Sequence, residues 1–167
     1  MAQGPRALKT AEIDLLEAAF GGRIAYGRVR LRHGHGGNPA AMAAFRNGNT
    51  AITLRRSIYF RIHYSDDFSA ADVASRALFH HEMTHVWQYA KLGVPRFLAR
   101  YARDLAACRF SPSAMYRYEE GVTPFAGARL EAQAEMVGDY CQARLVGDSA
   151  RMERLERNLK GSGFWGL

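Results

Sequence analysis

The sequence is poor in cysteine and has no long apolar run. Its 167 residues include only two cysteines, Cys108 and Cys141, which are far apart and form no CxxC pair. This excludes a disulfide framework and a thiolate metal site, so we expect both to be small core residues. No stretch approaches the roughly 18 apolar residues that a membrane span requires. The N-terminal MAQGPRALKT has no apolar run after its basic residues, so we expect cytoplasmic synthesis without a Sec-type signal.

Acidic residues are outnumbered, with 16 Asp and Glu against 23 Lys and Arg, which gives a net charge of +7. Such a charge suits an anionic partner, for example nucleic acid, an acidic protein or a cell-wall polymer. The basic residues are nearly all arginine in an Ala- and Gly-rich chain, and a GC-rich coding background produces the same composition. This second explanation is favoured, so nucleic acid is not the expected partner.

Hydrophobic periodicity divides the first part of the chain into a helix and three strands. A helix is predicted over Thr10–Phe20, before a glycine pair. Alternation predicts strands over Ile24–Arg32, Thr50–Leu54 and Ser57–Tyr64, and the short spacing between the last two suggests a hairpin. The glycine-rich segment His33–Ala40 is predicted to be a loop. A metal site at its two histidines is not favoured, because the loop is flexible.

The rest of the chain is predicted to be mainly helical. A capping box at Ser69-x-x-Asp72 predicts the start of a long helix that ends at Gly93. Further segments are a helix over Pro95–Cys108, a loop or irregular lid over Arg109–Gly127, and helices over Ala128–Val146 and Ser149–Leu159. Because no repeat is present, residues 1–167 are predicted to form one α+β domain with a small antiparallel sheet, and residues 159–167 a flexible tail.

The long helix contains the motif His-Glu-x-x-His in the stretch HHEMTHVWQ. One helical turn separates His81 from His85, so both imidazoles project from one face and can bind the same Zn²⁺. Zinc lowers the pKa of a water that it coordinates, and Glu82 would remove the proton from that water as it attacks a carbonyl. The alternative is a pair of partly exposed helix histidines that are hydrogen-bonded to their neighbours.

A catalytic zinc site needs a third protein ligand, and no histidine follows His85. The third ligand is therefore an upstream histidine or, as we favour, a carboxylate. The later stretch RLEAQAEMVGDY contains Glu131 and Glu135, again one turn apart. We expect Glu131 to bind the metal and Glu135 to accept a hydrogen bond from a ligand imidazole. The alternative is a solvated helix face, which is common for such pairs.

Residues around the motif supply further candidates. Peptide hydrolysis benefits from a hydrogen-bond donor to the developing oxyanion, and Tyr118 is selected as the catalytic candidate. The other candidates for this role are Tyr116, Arg129 and His63. His80 points roughly 100° away from His81 around the helix, so it is not expected to be a ligand. Trp87 is expected to pack in the core, with a substrate groove as the alternative.

These motifs resemble those of the gluzincin metallopeptidases, in which Glu-x-x-Ala-Asp on a second helix supplies the third ligand. This sequence has Glu135 where Asp is usual. The order of AEIDLLEAAFGGRIAYGRVRL, HEMTHVWQ, YRYE and LEAQAEMVGDY resembles more narrowly the Vgr-related and Rhs-associated metallopeptidase-like proteins of type VI secretion and contractile injection loci. That resemblance implies a zincin-like fold and a zinc site at His81, Glu82, His85 and Glu131.

The leading hypothesis is therefore a zinc-dependent metallopeptidase associated with a bacterial secretion system, which would deliver or export it. Its partners would be a peptide, protein or peptidoglycan substrate and a component of the secretion machine. One alternative is a secretion-system accessory or effector module in which zinc is structural and no turnover occurs. A nucleic-acid-associated protease is the least favoured of the three, despite the stripe formed by Arg28, Arg30 and Arg32.

Overall fold

The molecule combines one small sheet with a set of helices, and the computed structural model describes residues 4–167. In chain order these residues form α1 (Thr10–Phe20), β1 (Arg30–His33), α2 (Pro39–Arg46), β2 (Ala51–Leu54), β3 (Ser57–Phe60), α3 (Val73–Leu92), α4 (Val94–Ala107), α5 (Pro112–Met115), α6 (Leu130–Val146) and α7 (Ser149–Leu159). The predicted α+β class is thus confirmed. Within residues 4–167, no helix has both the length and the apolar character needed to cross a bilayer.

The sheet has the order β1-β3-β2 and is mixed, so the prediction of an antiparallel sheet is wrong. β2 and β3 form the predicted antiparallel hairpin, with Leu54 paired to Ser57 across a turn made by Arg55 and Arg56. β1 instead pairs in parallel with β3. The reason lies in the connection, because α2 and β2 reverse the chain before β3 returns in the direction of β1.

The first strand is shorter than the predicted segment Ile24–Arg32. Two 3₁₀ turns, Gly21–Arg23 and Tyr26–Arg28, occupy the region before β1. The Tyr26 hydroxyl donates a hydrogen bond of 2.6 Å to the Gly21 carbonyl, which holds this irregular segment against α1. The burial pattern nevertheless follows the predicted alternation where it matters for the core, since Leu31 is fully buried and Arg30 is exposed.

Helix α2 replaces the end of the predicted glycine-rich loop. The Asn38 side chain accepts hydrogen bonds from the backbone N–H groups of Ala40 and Ala41, and Pro39 occupies the first turn. An asparagine cap followed by proline is a regular start signal for a helix. The asparagine side chain accepts hydrogen bonds from N–H groups of the first turn that have no partner in the helix, and proline adds no such N–H group. The loop therefore ends at Asn38.

Helix α3 carries the HExxH motif through the centre of the molecule. It begins after Asp72, whose carboxylate accepts from the Ser75 N–H at 2.9 Å, and it ends at Gly93, where φ is +73°. The expected box that begins at Ser69 does not form, because the Ser69 N–H and hydroxyl both bond to Asp67 instead. Every residue from 80 to 88 is buried, so all sides of this helical segment are covered by protein.

Helix α6 packs directly against α3, and Gly138 permits the close approach of the two backbones. A Cβ atom at this position would lie 3.1 Å from the Ala77 carbonyl oxygen and 3.4 Å from the Cβ of His81. Because a carbonyl inside a helix has little freedom to move away, an added methyl group would push α6 from the helix that carries His81.

We expect Gly138→Ala to lower the free energy of unfolding by about 1–3 kcal/mol through this overpacking. Thermal or urea unfolding followed by circular dichroism measures the change. Gly127→Ala is the matched control, since a Cβ there would meet no atom within 4 Å. Equal stability of the two variants would show that the interface between α3 and α6 is looser than described.

The last eight residues pack onto the domain, contrary to the flexible tail predicted for residues 159–167. Phe164 is fully buried and packs against Phe20 and Trp87. The Arg23 guanidinium donates to the carbonyls of Ser162 and Gly163 at 2.9 and 2.7 Å. The glycines of this segment allow a tight turn that returns two aromatic side chains to the core, which outweighs the entropy lost on ordering.

Candidate metal centre

Three side chains from two helices meet in the interior and form a candidate metal centre. His81 and His85 lie on consecutive turns of α3, and Glu131 lies in the first turn of α6. Glu131 Oε2 is 3.4 Å from His81 Nε2 and 3.1 Å from His85 Nε2. One ligand atom from each residue can be chosen so that all three atoms lie within 4.8 Å of one another, and all three residues are buried.

Hydrogen bonds on the far side of each imidazole orient its Nε2 toward Glu131. His85 Nδ1 lies 2.8 Å from Gln88 Oε1, and the Gln88 amide donates to the Leu130 carbonyl and to Gln133 Oε1. His81 Nδ1 lies 3.1 Å from Glu135 Oε2. When each Nδ1 carries the proton and donates it to these oxygens, each Nε2 lone pair is free to bind a metal.

The charges of the centre are strongly coupled. Burial lowers the pKa of His81, but hydrogen bonds to Glu131 and Glu135 outweigh burial and raise this pKa to about 10. Burial also opposes the charge of His85, yet the nearby Glu131 raises its pKa. In turn, the two imidazoles overcome the burial of Glu131 and hold its pKa far below the usual range. The metal-free centre therefore contains an ionised carboxylate that retains protons on the imidazoles.

The donor set fits a zinc ion. Imidazole nitrogen and carboxylate oxygen are regular zinc ligands, and two histidines with one glutamate form a known catalytic combination. Without a metal, the carboxylate and the protonated imidazoles form a buried cluster of charges, which is costly because each charged group loses its contact with water. A divalent ion at the convergence of the three side chains would replace the two imidazole protons and neutralise this charge.

Glu82 lies beside the donor set but is not part of it. Its Oε2 accepts a hydrogen bond of 2.6 Å from the hydroxyl of Thr53 on β2, which also lies 3.2 Å from the Glu82 carbonyl oxygen. Thr53 thus fixes the position of the Glu82 carboxylate from the opposite wall of the site. Sequence reasoning missed Thr53, because the two residues are 29 positions apart and only the packing of β2 on α3 joins them.

A cleft crosses the centre and has two arms, which share seven lining residues: Asn49, Ala51, Ile52, His81, Glu82, Tyr101 and Tyr116. The aromatic arm is a cavity of about 220 Å³, and the residues found in it alone include Leu54, Tyr89, Phe97 and Leu98. The polar arm is a cavity of about 790 Å³, and the residues found in it alone include Asn47, Glu135, Asp139 and Gln142. Residues of β2 line both arms, so the cleft follows this strand.

The tyrosines near the cleft differ in position. The Tyr116 ring stacks on the His81 ring, with 5.9 Å between the centroids and 20° between the planes. Burial, aided by the negative charges of Glu131 and Glu82, raises the pKa of Tyr116. Tyr118 is not among the residues that line either arm, and its hydroxyl donates to Asp139. The geometry therefore places Tyr116, and not the selected Tyr118, beside the metal centre.

The remaining candidates lie outside the cleft. His80 is buried on the other side of α3, where its Nδ1 is 2.8 Å from the Arg76 carbonyl, and burial lowers its pKa to about 4. Trp87 packs against Phe125, as expected for a core residue. Arg129 and His63 line neither arm.

Gln88 is a further residue that sequence reasoning missed, although its signal was present. It stands three positions after His85 on the same helix, a spacing at which side chains meet. A series of hydrogen bonds leads from His85 through two glutamines. His85 Nδ1 lies 2.8 Å from Gln88 Oε1, the Gln88 amide donates to Gln133 Oε1 at 3.1 Å, and the Gln133 amide donates to the Phe125 carbonyl at 2.7 Å. This series links the start of α6 to the ligand helix.

Comparisons with known proteins give one family and one much longer relative. The family model of the eCIS core domain matches residues 7–93, which include His81, Glu82 and His85 but not Glu131. The type VI secretion system spike protein VgrG2b of Pseudomonas aeruginosa is 33% identical over 141 residues, or 83% of this chain. The chain spans only 13% of the length of that protein.

A solved structure resembles the whole fold. The effector domain of Pseudomonas aeruginosa VgrG2b matches with a TM-score of 0.66 and 27% identity. The match covers 96% of this chain and 85% of the solved one, so it extends well beyond the residues of the family model and includes the region of α6, which carries Glu131. Because the family model covers more than half of the sequence, this chain belongs to the eCIS core domain family.

Proposed function

We propose that this chain is a secretion-system effector or accessory domain, and that its metal centre binds zinc and hydrolyses peptide bonds. The secretion role is supported by the eCIS core domain family and by the similarity to the effector domain of a type VI spike protein. The hydrolytic role is carried by one observation of this molecule, the convergence of His81, His85 and Glu131 in a cleft beside Glu82.

In this proposal the zinc ligands are His81 Nε2, His85 Nε2 and one oxygen of Glu131. A zinc ion held there would supply Lewis acidity, which polarises a carbonyl group and makes water a better nucleophile at neutral pH. Gln88 and Glu135 hold the two imidazoles in orientation through Nδ1. The ligand geometry is thus set before substrate arrives, which lowers the cost of reorganisation during the reaction.

Glu82 acts as the general base. Its carboxylate faces the cleft, accepts the proton of the attacking water and later delivers it to the leaving amine. The Thr53 hydroxyl donates to Oε2 of this carboxylate, so Thr53 positions the base and leaves Oε1 for the water. Tyr116 replaces Tyr118 as the donor to the developing oxyanion. Its raised pKa keeps the phenol protonated, which a donor requires.

Metal removal tests the hydrolytic role. We expect purified protein to contain about one zinc per chain and to cleave an unfolded protein such as denatured casein. Treatment with a zinc chelator should abolish cleavage, and readdition of zinc should restore it. Cleavage that persists after complete removal of the metal would refute the proposed mechanism, whereas zinc without cleavage of any peptide or peptidoglycan substrate would favour the non-catalytic alternative.

Zinc affinity should increase with pH. His81 has a pKa of about 10 in the metal-free protein, and the pKa of His85 is raised too, so zinc must displace protons from these imidazoles at neutral pH. Between pH 6 and pH 8 we expect affinity to rise by at least about tenfold per unit, the value for one displaced proton. Competition with a chromogenic chelator, corrected for its own titration, measures this slope. An affinity independent of pH would contradict the protonated centre.

A structural zinc site without turnover is the second candidate. It is favoured by the hydrogen-bonded chain that connects His85 through Gln88 and Gln133 to the start of α6, because a metal there would stabilise the contact between two helices. A fourth protein ligand that leaves no position for water would distinguish this candidate from the hydrolase.

A further inference from the structure

The positive charge of the protein is concentrated in the region of the sheet. Residues 18–65 contain eight arginines and no aspartate or glutamate, whereas the rest of the chain contains 15 basic and 16 acidic residues. An arginine-rich composition alone does not explain this separation, because it would also place acidic residues among the strands. The net charge of +7 therefore arises within residues 18–65 of the sequence.

Four of these arginines lie together at one end of the sheet. Arg55 and Arg56 form the turn between β2 and β3, and the Arg56 carbonyl accepts from the backbone N–H of Arg30 at 2.9 Å. Arg28 precedes β1 by two residues. All four side chains belong to exposed residues, and none forms an ion pair with any part of the chain from residue 4 to 167. We call this group the arginine turn.

The arginine turn directly follows the end of β2 that lines the aromatic arm. Strand β2 is one of the two edge strands of the sheet, and its residues line the cleft from the polar arm to the aromatic arm. Asn49 and Ala51 belong to both arms, while Leu54 at the end of the strand belongs to the aromatic arm alone. The next residue in the chain is Arg55. A ligand that extends along β2 through the aromatic arm therefore reaches the arginine turn within a few residues.

We propose that the cleft selects an extended peptide with a bulky apolar side chain in the aromatic arm and acidic residues that reach the arginine turn. The inference rests on the proposed peptide-binding role of the cleft and specifies its substrate class. Leu98 is 53% exposed at the wall of the aromatic arm, an apolar surface that such a side chain would cover. Acidic carboxylates would pair with arginines that form no ion pair among residues 4–167, although the Arg30 guanidinium donates to the carbonyls of Gly27 and Val29.

A peptide suits this surface better than a nucleic acid. Strand β2 pairs with β3 on one side only, so its other edge offers both backbone N–H and C=O groups. An extended peptide can pair with both kinds of group, whereas a phosphate backbone offers only acceptors. The arginine turn is also short, and it adjoins an apolar cavity instead of a continuous basic groove. Nucleic acid is therefore the alternative outcome of the test.

The test measures peptide binding separately from turnover. Zinc-loaded Glu82→Gln protein is mixed with fluorescein-labelled ten-residue peptides, and binding is followed by anisotropy at low salt. The first peptide has a central phenylalanine and an aspartate pair three to four residues away on each side. The second has lysine in place of each aspartate, and the third has alanine in place of phenylalanine. A single-stranded oligonucleotide of equal charge serves as competitor.

We expect the aspartate peptide to bind about tenfold more tightly than the lysine peptide, as two exposed charge pairs allow, and the alanine peptide to bind more weakly. Charge reversal with Arg55→Glu and Arg56→Glu should remove or invert the preference for aspartate. The control pair Arg109→Glu and Lys160→Glu, which makes the same change in net charge at two exposed positions away from β2, should retain it.

Several results would overturn this specificity. They are equal binding of the aspartate and lysine peptides, unchanged preference after reversal at Arg55 and Arg56, absence of binding by every peptide, or stronger binding of the oligonucleotide through the same arginines. Failure of the proposed hydrolase gives a different result. In that case wild-type protein cleaves no peptide, while the aspartate preference and its dependence on Arg55 and Arg56 remain.

Discussion

Glu82→Gln is expected to lower kcat for peptide hydrolysis by about 10³-fold, within the range for loss of a general base, while the protein still binds one zinc. Glutamine keeps the size of the side chain and accepts the hydrogen bond from Thr53 with its amide oxygen, so the site stays intact. It cannot accept a proton from water. The zinc ligands are untouched, because Glu82 is not part of the donor set of His81, His85 and Glu131.

The experiment compares cleavage rates and zinc content for wild type, Glu82→Gln and Glu119→Gln. Glu119 is exposed, lines neither arm of the cleft and makes its hydrogen bonds through backbone atoms, so its replacement is the matched control. Loss of activity together with loss of zinc would indicate a structural role for Glu82. Full activity of Glu82→Gln would refute its role as the base.

Glu131→Ala should lower zinc affinity by about 10²-fold or more. The change removes one of the three proposed ligands, and with it the negative charge that would partly neutralise the zinc ion. Only two neutral imidazoles then remain as ligands in a buried site. Glu135→Gln should have a smaller effect, about tenfold, because Glu135 contacts the centre only through His81 Nδ1.

Competition titrations of the three proteins with a zinc chelator give this ranking directly. Circular dichroism in the presence of chelator shows whether each variant folds, so that a folding defect is distinguished from the loss of a ligand. The assignment of Glu131 would be wrong if Glu135→Gln weakened zinc binding as much as Glu131→Ala, or if Glu131→Ala bound zinc normally.

The ligand helix was largely predictable from sequence because its signals are local. Asp72 and Gly93 act through the backbone within one turn, and the four-residue spacing of HExxH fixes the common face of its histidines. The carboxylate helix was predictable for the same reason. That α6 brings Glu131 opposite His85 depends on the close contact at Gly138, and no local pattern encodes that contact.

Other features depend on contacts between distant segments. The sequence placed Thr53 in a strand, but only the packing of β2 on α3 brings its hydroxyl to Glu82. Tyr116 and Tyr118 are two residues apart in an irregular segment, where no periodicity determines which ring faces the cleft. Residues 159–167 are predicted from the sequence to be a flexible tail, although Phe164 and Trp165 offer apolar surface that the core buries or packs against.

The most direct test of the central claim is a crystal structure of the zinc-loaded protein with anomalous diffraction at the zinc edge. The account predicts a single zinc peak bound by His81 Nε2, His85 Nε2 and Glu131, with the remaining position open to the cleft beside Glu82. A peak at other residues, or a protein that takes up no zinc, would contradict the metal centre. A fourth protein ligand in place of the open position would contradict hydrolysis.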